Sequence, residues 1–342
     1  MPSTALAVPV LAQTPTLETV ATPLLWAGTI GAVIALLVLD FIVTRKPHEV
    51  SMKEAIGWST FYIALPLAFG AYIWSRFGSQ TGVEYLTGYL VEKSLSVDNL
   101  FVFMLLLTAF AVPAALQQRV LLYGIVGALV LRGIFIALGA AALDRLSFAF
   151  LLFGGILLAT AVKILRDQRQ GEQHAVDVDE MRSVRLLRRF MPVTDDYRGP
   201  RMFVKENGVR AATPFALVVM AVFATDIVFA VDSVPAVYGI TGDPFLVFAT
   251  NAFALLGLRA LYFVLQGALA KLVHLGYGLA AILGFIGVKL VLHWAHGIWS
   301  WVPEIPTLAS LLVIIAVLAL VTFTSLRSVK RSERELIESQ VP

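Results

Sequence analysis

Nine long apolar stretches constrain the fold of this chain more than any other feature of its sequence. They lie at about 24–43, 55–75, 83–110, 119–142, 146–165, 213–236, 245–267, 272–294 and 306–326. A helix needs about 20 apolar residues to cross a hydrocarbon core of about 30 Å. Hydrophobic residues make up 58% of the chain and charged residues only 14%. We therefore predict an all-α, polytopic membrane protein with about nine transmembrane helices.

The basic residues predict the orientation of these helices. Nineteen Lys and Arg residues fall in the loops of one side and two in the loops of the other, and cytoplasmic loops carry the excess. This asymmetry predicts an N-terminus outside and a C-terminus in the cytoplasm. The lack of a transit-peptide signature favours a plasma (inner) membrane. The expected divisions are an exposed tail at 1–22, helices one to five at 23–165, a solvated cytoplasmic linker at 166–212, a repeated unit at 213–294, and a last helix with its cytoplasmic tail at 295–342.

Two parts of the chain, 83–165 and 213–294, match each other at specific residues. The matched positions are Glu92 with Asp226, 96–99 with 230–233, Leu131-Arg132 with Leu258-Arg259, and Val162-Lys163 with Val288-Lys289. Each unit has three helices, an odd number, so the linker should invert the second unit relative to the first. Inverted repeats place a substrate site near the midplane and supply two equivalent conformations, the basis of alternating access.

Four acidic residues in two matched pairs interrupt the apolar stretches: Glu92, Asp98, Asp226 and Asp232. A charge at the bilayer centre costs about 2.5–3.5 kcal/mol on insertion scales, so these side chains should face the bundle interior. Residues six apart on a helix lie about 9 Å apart along its axis and about 120° apart around it. A site must therefore combine acids from different helices, to bind a cation or carry protons. The competing interpretation is a set of structural ion pairs with intramembrane bases.

Other polar residues accompany these acids. Asn99 is assigned to the metal ligands, and the remaining candidates for a gate or an accessory role are Asp40, Ser96, Ser233, Lys93, Arg132, Arg259 and Lys289. Asp40 has an interfacial interpretation as well, because it lies near two basic residues. Pro235 should free the carbonyl group of Val231 as a further oxygen ligand. Oxygen ligands favour Mg²⁺, Ca²⁺ or Mn²⁺, and the absence of cysteine excludes thiolate sites.

Three segments of the chain resemble the TerC family of membrane proteins. They are 88–99 (GYLVEKSLSVDN), 225–236 (TDIVFAVDSVPA) and 251–263 (NAFALLGLRALYF). The resemblance implies a nine-span fold related to the LysE transporter superfamily, Mn²⁺ efflux, and a link to tellurium resistance. It points to the same four acids as the metal path. Many members have an acid where this chain has Phe223, three residues before Asp226, so the metal site here is expected to carry one negative charge fewer.

We therefore expect a transporter that exports divalent metal ions, Mn²⁺ first and Ca²⁺ as a further candidate, by alternating access with proton antiport. We expect no enzymatic activity, no permanently bound cofactor and no nucleic-acid partner. The expected partners are the transported ion and the lipid bilayer. Two alternatives stay open, a membrane scaffold in metal or tellurite stress and an exporter of another small solute. An intramembrane aspartyl protease is disfavoured because the chain lacks the GxGD context of those enzymes.

Overall fold

The computed structural model describes residues 19–45, 50–146, 148–170, 185, 189, 191–206, 209–266, 274–299 and 301–339. Its described α-helices are α1 (Pro23–Val43), α2 (Met52–Phe77), α3 (Ser79–Ala109), α4 (Ala114–Arg145), α5 (Ala149–Gln170), α6 (Pro214–Tyr238), α7 (Pro244–Leu256), α8 (Leu258–Leu265), α9 (Leu275–His296) and α10 (Thr307–Ser339). Two short strands, β1 (Phe203–Glu206) and β2 (Val209–Ala212), precede α6.

Seven of the described helices are long and apolar enough to cross a membrane: α1, α2, α4, α5, α6, α9 and α10. Helices α7 and α8 make an eighth span if they are taken together. Helix α3 is also long, with 31 residues, but it carries Glu92, Lys93 and Asp98 close together and does not qualify by composition. The prediction of an all-α, polytopic membrane protein is confirmed. The inverted arrangement of its two units stays a prediction.

The helix boundaries follow from local capping chemistry. Thr22 accepts a hydrogen bond from the N–H of Leu25 at the start of α1, and Thr213 accepts one from the N–H of Ala216 at the start of α6. Each cap is followed at once by a proline, whose missing N–H is harmless in the first turn. The stretch at 245–267 was predicted as one helix, which is wrong, because the chain bends by 44° at the break between α7 and α8.

Close helix packing depends on a few glycines. A Cβ atom on Gly154 of α5 would lie 2.9 Å from the carbonyl oxygen of Gly287 on α9, so the two backbones touch. A Cβ atom on Gly127 of α4 would meet the ring of Phe223 on α6, with Cε2 at 2.7 Å. Phe223 therefore fills the space beside α4 with an aromatic ring, at the position where the family resemblance leads us to expect an acid.

The 166–212 segment contains more structure than the predicted linker. Helix α5 continues into it as far as Gln170, and β1 and β2 form an antiparallel hairpin in which Lys205 lies opposite Arg210. The hairpin is tied to the membrane helices, because the Thr213 N–H donates to the carbonyl of Met202 (3.0 Å). Tyr197 donates its O–H to the carbonyl of Phe110, just after α3 (2.8 Å).

Candidate functional site

Arg132 of α4 is the centre of a buried polar network. Its Nη1 contacts the Glu92 carboxylate of α3, and its Nη2 lies 3.5 Å from Asp226 Oδ1 of α6. All three side chains are almost completely buried, with exposed fractions of 0–1%. Two of the predicted acids, from two helices, therefore meet at one guanidinium group. The structure thus contains the ion pairs that the competing interpretation described.

Two amides hold the same guanidinium without adding charge. Arg132 Nη1 donates to Asn251 Oδ1 of α7 (2.7 Å). Asn99 Oδ1 accepts from Arg132 Nη2 (3.3 Å) when its amide is oriented so that the nitrogen donates to the Leu95 carbonyl (3.0 Å). Four helices, α3, α4, α6 and α7, thus converge on Arg132. Asn99 was predicted as a metal ligand, and here its amide oxygen faces a guanidinium.

The charges in this network do not balance. Two carboxylates face one guanidinium, a net charge of −1 when all three groups are ionised. Within the described part of the chain, neither carboxylate has a hydrogen-bond donor apart from Arg132. The hydroxyls of Ser96 and Ser233, both predicted accessory residues, are likewise buried without a partner there. Buried acceptors normally have partners, so these oxygens are available to a further cation or proton.

Asp232 lies in a different environment from Asp226, although both belong to α6. Its Oδ1 accepts a hydrogen bond from the Thr160 hydroxyl of α5 (2.8 Å), it is partly exposed, and Lys163 is close enough to act on it electrostatically. Helix α6 continues through Pro235 to Tyr238. Asp98 lies on α3, but its side chain is outside the described residues. Among the described side chains, no group of three or more Asp, Glu, His or Cys residues is arranged to hold a metal ion.

A second buried network joins α1, α2, α4 and α8. Arg259 donates through Nη2 to Asp40 Oδ1 (2.8 Å) and through Nη1 to Gln118 Oε1 (2.9 Å), and Tyr62 donates its O–H to the same Asp40 oxygen (2.9 Å). Asp40 is only 1% exposed, so its side chain is enclosed by protein, and its interfacial depth in the membrane stays a prediction. The Arg259 guanidinium and the Tyr62 hydroxyl satisfy this buried carboxylate.

The predicted lysines have separate surroundings. Lys93 Nζ donates to the carbonyl of Ala254, close to the end of α7 (3.3 Å). Lys289 of α9 lies near Glu84 and Glu304 rather than beside the Arg132 network. The carboxylate of Glu304 is also 2.9 Å from His293 Nδ1. Among the described residues, neither lysine forms an ion pair with the acids of the Arg132 network.

Sequence reasoning did not single out four polar residues that complete these networks: Tyr62, Gln118, Thr160 and Asn251. Asn251 was visible only as part of a motif that resembles the family. Gln118 lies just before the apolar stretch at 119–142, and Thr160 lies within the stretch at 146–165. An uncharged polar residue is common in both positions. Their importance depends on which helix they face, and a linear pattern does not contain that information.

The architecture and its buried charges define a class, the multi-pass helical membrane proteins. Within that class the chain belongs to the TerC family: the family model described as "Integral membrane protein TerC family" matches residues 77–334. The resemblance predicted from 88–99, 225–236 and 251–263 is therefore confirmed. No solved structure matches the chain.

Several curated proteins are similar over most of their length. An uncharacterised membrane protein of Myxococcus xanthus, STKORF319, is 46% identical over 278 residues, which cover 81% of this chain and 86% of that protein. Alx of Salmonella typhi, named as a candidate membrane-bound redox modulator, is 42% identical over 288 residues, 81% of this chain and 88% of Alx. A Mycobacterium bovis membrane protein, Mb2742, is 44% identical over 277 residues, 81% and 70% respectively.

Proposed function

We propose that this protein exports divalent metal ions, with Mn²⁺ as the principal substrate and Ca²⁺ as a further one, by alternating access. The observation that carries the proposal is the meeting of Glu92 and Asp226 at Arg132. An excess of buried negative charge is unfavourable unless a cation or proton neutralises it. Carboxylate, amide and hydroxyl oxygens are the ligands that Mn²⁺, Mg²⁺ and Ca²⁺ prefer.

Arg132 acts in this scheme as the resident counter-ion of the empty carrier. A divalent cation that enters the network competes with the guanidinium for the two carboxylates. Asn251 and Asn99 supply uncharged acceptors that hold Arg132 while the carboxylates change partner. The divalent ion neutralises the two carboxylates, and the network changes from a net charge of −1 when empty to +1 when loaded, because Arg132 stays in place.

Asp98 and Asp232 belong to the same path in this proposal. Asp232, partly exposed and held by Thr160, is an intermediate carboxylate between the buried network and the aqueous phase. Protons are the natural coupling ion because every ligand acid can take one when the metal leaves. With the N-terminus outside and the C-terminus in the cytoplasm, export means uptake from the side that carries the basic loops.

Mn²⁺ binding by the purified protein tests the proposal. The electron paramagnetic resonance signal of free Mn²⁺ falls when the ion binds, so titration reports affinity directly. We expect Glu92→Gln and Asp226→Asn to weaken binding at least tenfold. Glu304→Gln is the matched control, because Glu304 is 49% exposed and lies away from the network. Equal affinity in all four proteins would overturn the assignment of the site.

The name of Alx points to a different role, redox modulation. This chain contains no cysteine, so a redox role here cannot depend on thiols of the chain itself. Metal export is compatible with an indirect influence on redox state, since the transported ion can itself be a redox partner. The buried acids therefore favour transport over thiol chemistry, and over a scaffold whose acids would be dispensable.

A further inference from the structure

The β1–β2 hairpin carries a pair of like charges in direct register. Lys205 lies opposite Arg210 on the antiparallel strands, so both side chains project from the same face of the hairpin. Like charges directly opposite each other are destabilising in a sheet. The nearby Glu206 pairs instead with Arg198 (3.5 Å), and the described residues place no carboxylate within 4 Å of either Lys205 or Arg210. The pair is therefore poised to share an anion.

The two basic side chains border an open cavity of about 430 Å³. The other described residues that line it are Met191, Phe203 and Val204. Phe203 lies two residues from Lys205, on the same face of the strand, and is 53% exposed. The cavity thus has a basic end and an apolar end, which suits an amphiphilic anion better than a fully polar one.

The position of the hairpin indicates where such an anion comes from. Phe203 pairs with Ala212, two residues before the membrane helix α6 begins at Pro214. The Lys205–Arg210 pair lies two residues further along the strands, or about 7 Å at the usual rise per residue. The headgroup layer on each side of a bilayer core is about 5–8 Å thick. Counted along the chain, the basic pair lies farther from the start of α6 than Phe203 does, at a distance that matches the thickness of the headgroup layer.

We propose that the cavity between Lys205 and Arg210 of the hairpin is a binding site for the phosphate of an anionic glycerophospholipid. Phe203 and Met191 contact the glycerol backbone and the first acyl methylenes. This site is independent of the buried carboxylates. A bound lipid would hold the hairpin against the bilayer beside the N-terminus of α6, the helix that carries Asp226.

Native mass spectrometry of the full chain, released from detergent micelles and titrated with lipid, tests the proposal. We expect phosphatidylglycerol to bind in preference to phosphatidylcholine. Near an anionic surface each Lys or Arg contributes about 1 kcal/mol, so Lys205→Gln with Arg210→Gln should weaken phosphatidylglycerol binding about 30-fold. The charge-conserving exchange Lys205→Arg with Arg210→Lys should retain the affinity to within about threefold.

A second double variant controls for general charge loss. Lys53→Gln with Arg76→Gln removes two exposed basic residues elsewhere and should leave the affinity unchanged. Equal loss in both double variants, or no loss in the hairpin variant, would overturn the site. Displacement of phosphatidylglycerol by millimolar inorganic phosphate would overturn the lipid assignment in favour of a free-anion site, whereas resistance to phosphate supports it.

Discussion

The substitution Arg132→Met tests the buried network most sharply. Methionine preserves much of the side chain's length and removes its charge, so Glu92 and Asp226 are left without their shared cation. The arginine is 1% exposed and the acids 0% and 1%, so water cannot replace it. Removing one partner of a buried ion pair costs about 3–5 kcal/mol. Because two carboxylates lose the same partner, we expect a loss of unfolding free energy near the upper end, about 5 kcal/mol.

Denaturant unfolding in detergent micelles, followed by the fluorescence of the six tryptophans, measures this loss. The double variant Arg132→Met with Glu92→Gln removes one of the orphaned charges and should recover about half of it. Arg327→Met is the matched control. Its guanidinium is exposed and stacks 4.1 Å from the Phe323 ring, a contact worth about 0.5–1 kcal/mol.

The reasoning fails if Arg132→Met unfolds within 1 kcal/mol of the wild type. It also fails if Glu92→Gln gives no recovery in the double variant. Either result would mean that the acids are already neutralised by another group, and that Arg132 is not the resident counter-ion.

Three further predictions concern packing and the linker. Gly127→Ala should destabilise the protein by about 1–3 kcal/mol in the same unfolding assay, because its methyl group would overlap the Phe223 ring. The same substitution should cost much less when it is made in a Phe223→Ala background, and an equal cost there would contradict this packing. Tyr197→Phe removes the hydrogen bond to the Phe110 carbonyl and should lower the free energy of unfolding by about 0.5–1.5 kcal/mol. The loss should appear as faster amide hydrogen exchange at 194–206, and unchanged exchange would show that the contact is absent. Burial raises the pKa of Tyr197 to about 12. Its contribution to the free energy of unfolding is therefore complete below the unfolded pKa of about 10 and is lost as the pH rises toward 12. The tyrosinate absorbance difference between wild type and Tyr197→Phe should titrate near 12, and a midpoint near 10 would refute this prediction.

The sequence predicts the helices well because their length has a simple physical cause. A bilayer core requires about 20 apolar residues, and each predicted stretch coincides with a described helix or helix pair. The break at Gly257 was missed because apolar residues predominate on both sides of it, and Arg259 is the one charged residue between 244 and 265. The hairpin was missed because each strand has only four residues, too few for a period-two pattern to stand out from a charged linker.

The candidate site was predictable in its residue types but not in its pairing. An acid inside an apolar stretch must face protein rather than lipid, which singles out Glu92 and Asp226. Which base they meet depends on the rotation and tilt of each helix, and helical spacing alone does not fix these. The pairing of Asp40 with Arg259, 219 residues away, depends on helix placement in the same way.

The central claim, carriage of a divalent cation by the buried acids, is tested most directly by flux. The full chain is reconstituted in liposomes that hold a Mn²⁺-sensitive dye, and Mn²⁺ entry is followed under an imposed pH gradient. Wild type and Glu304→Gln should transport Mn²⁺ at equal rates, and Asp226→Asn should reduce the rate at least tenfold with its fold intact by circular dichroism. Absence of flux in the wild type, or equal flux in Asp226→Asn, would contradict the account.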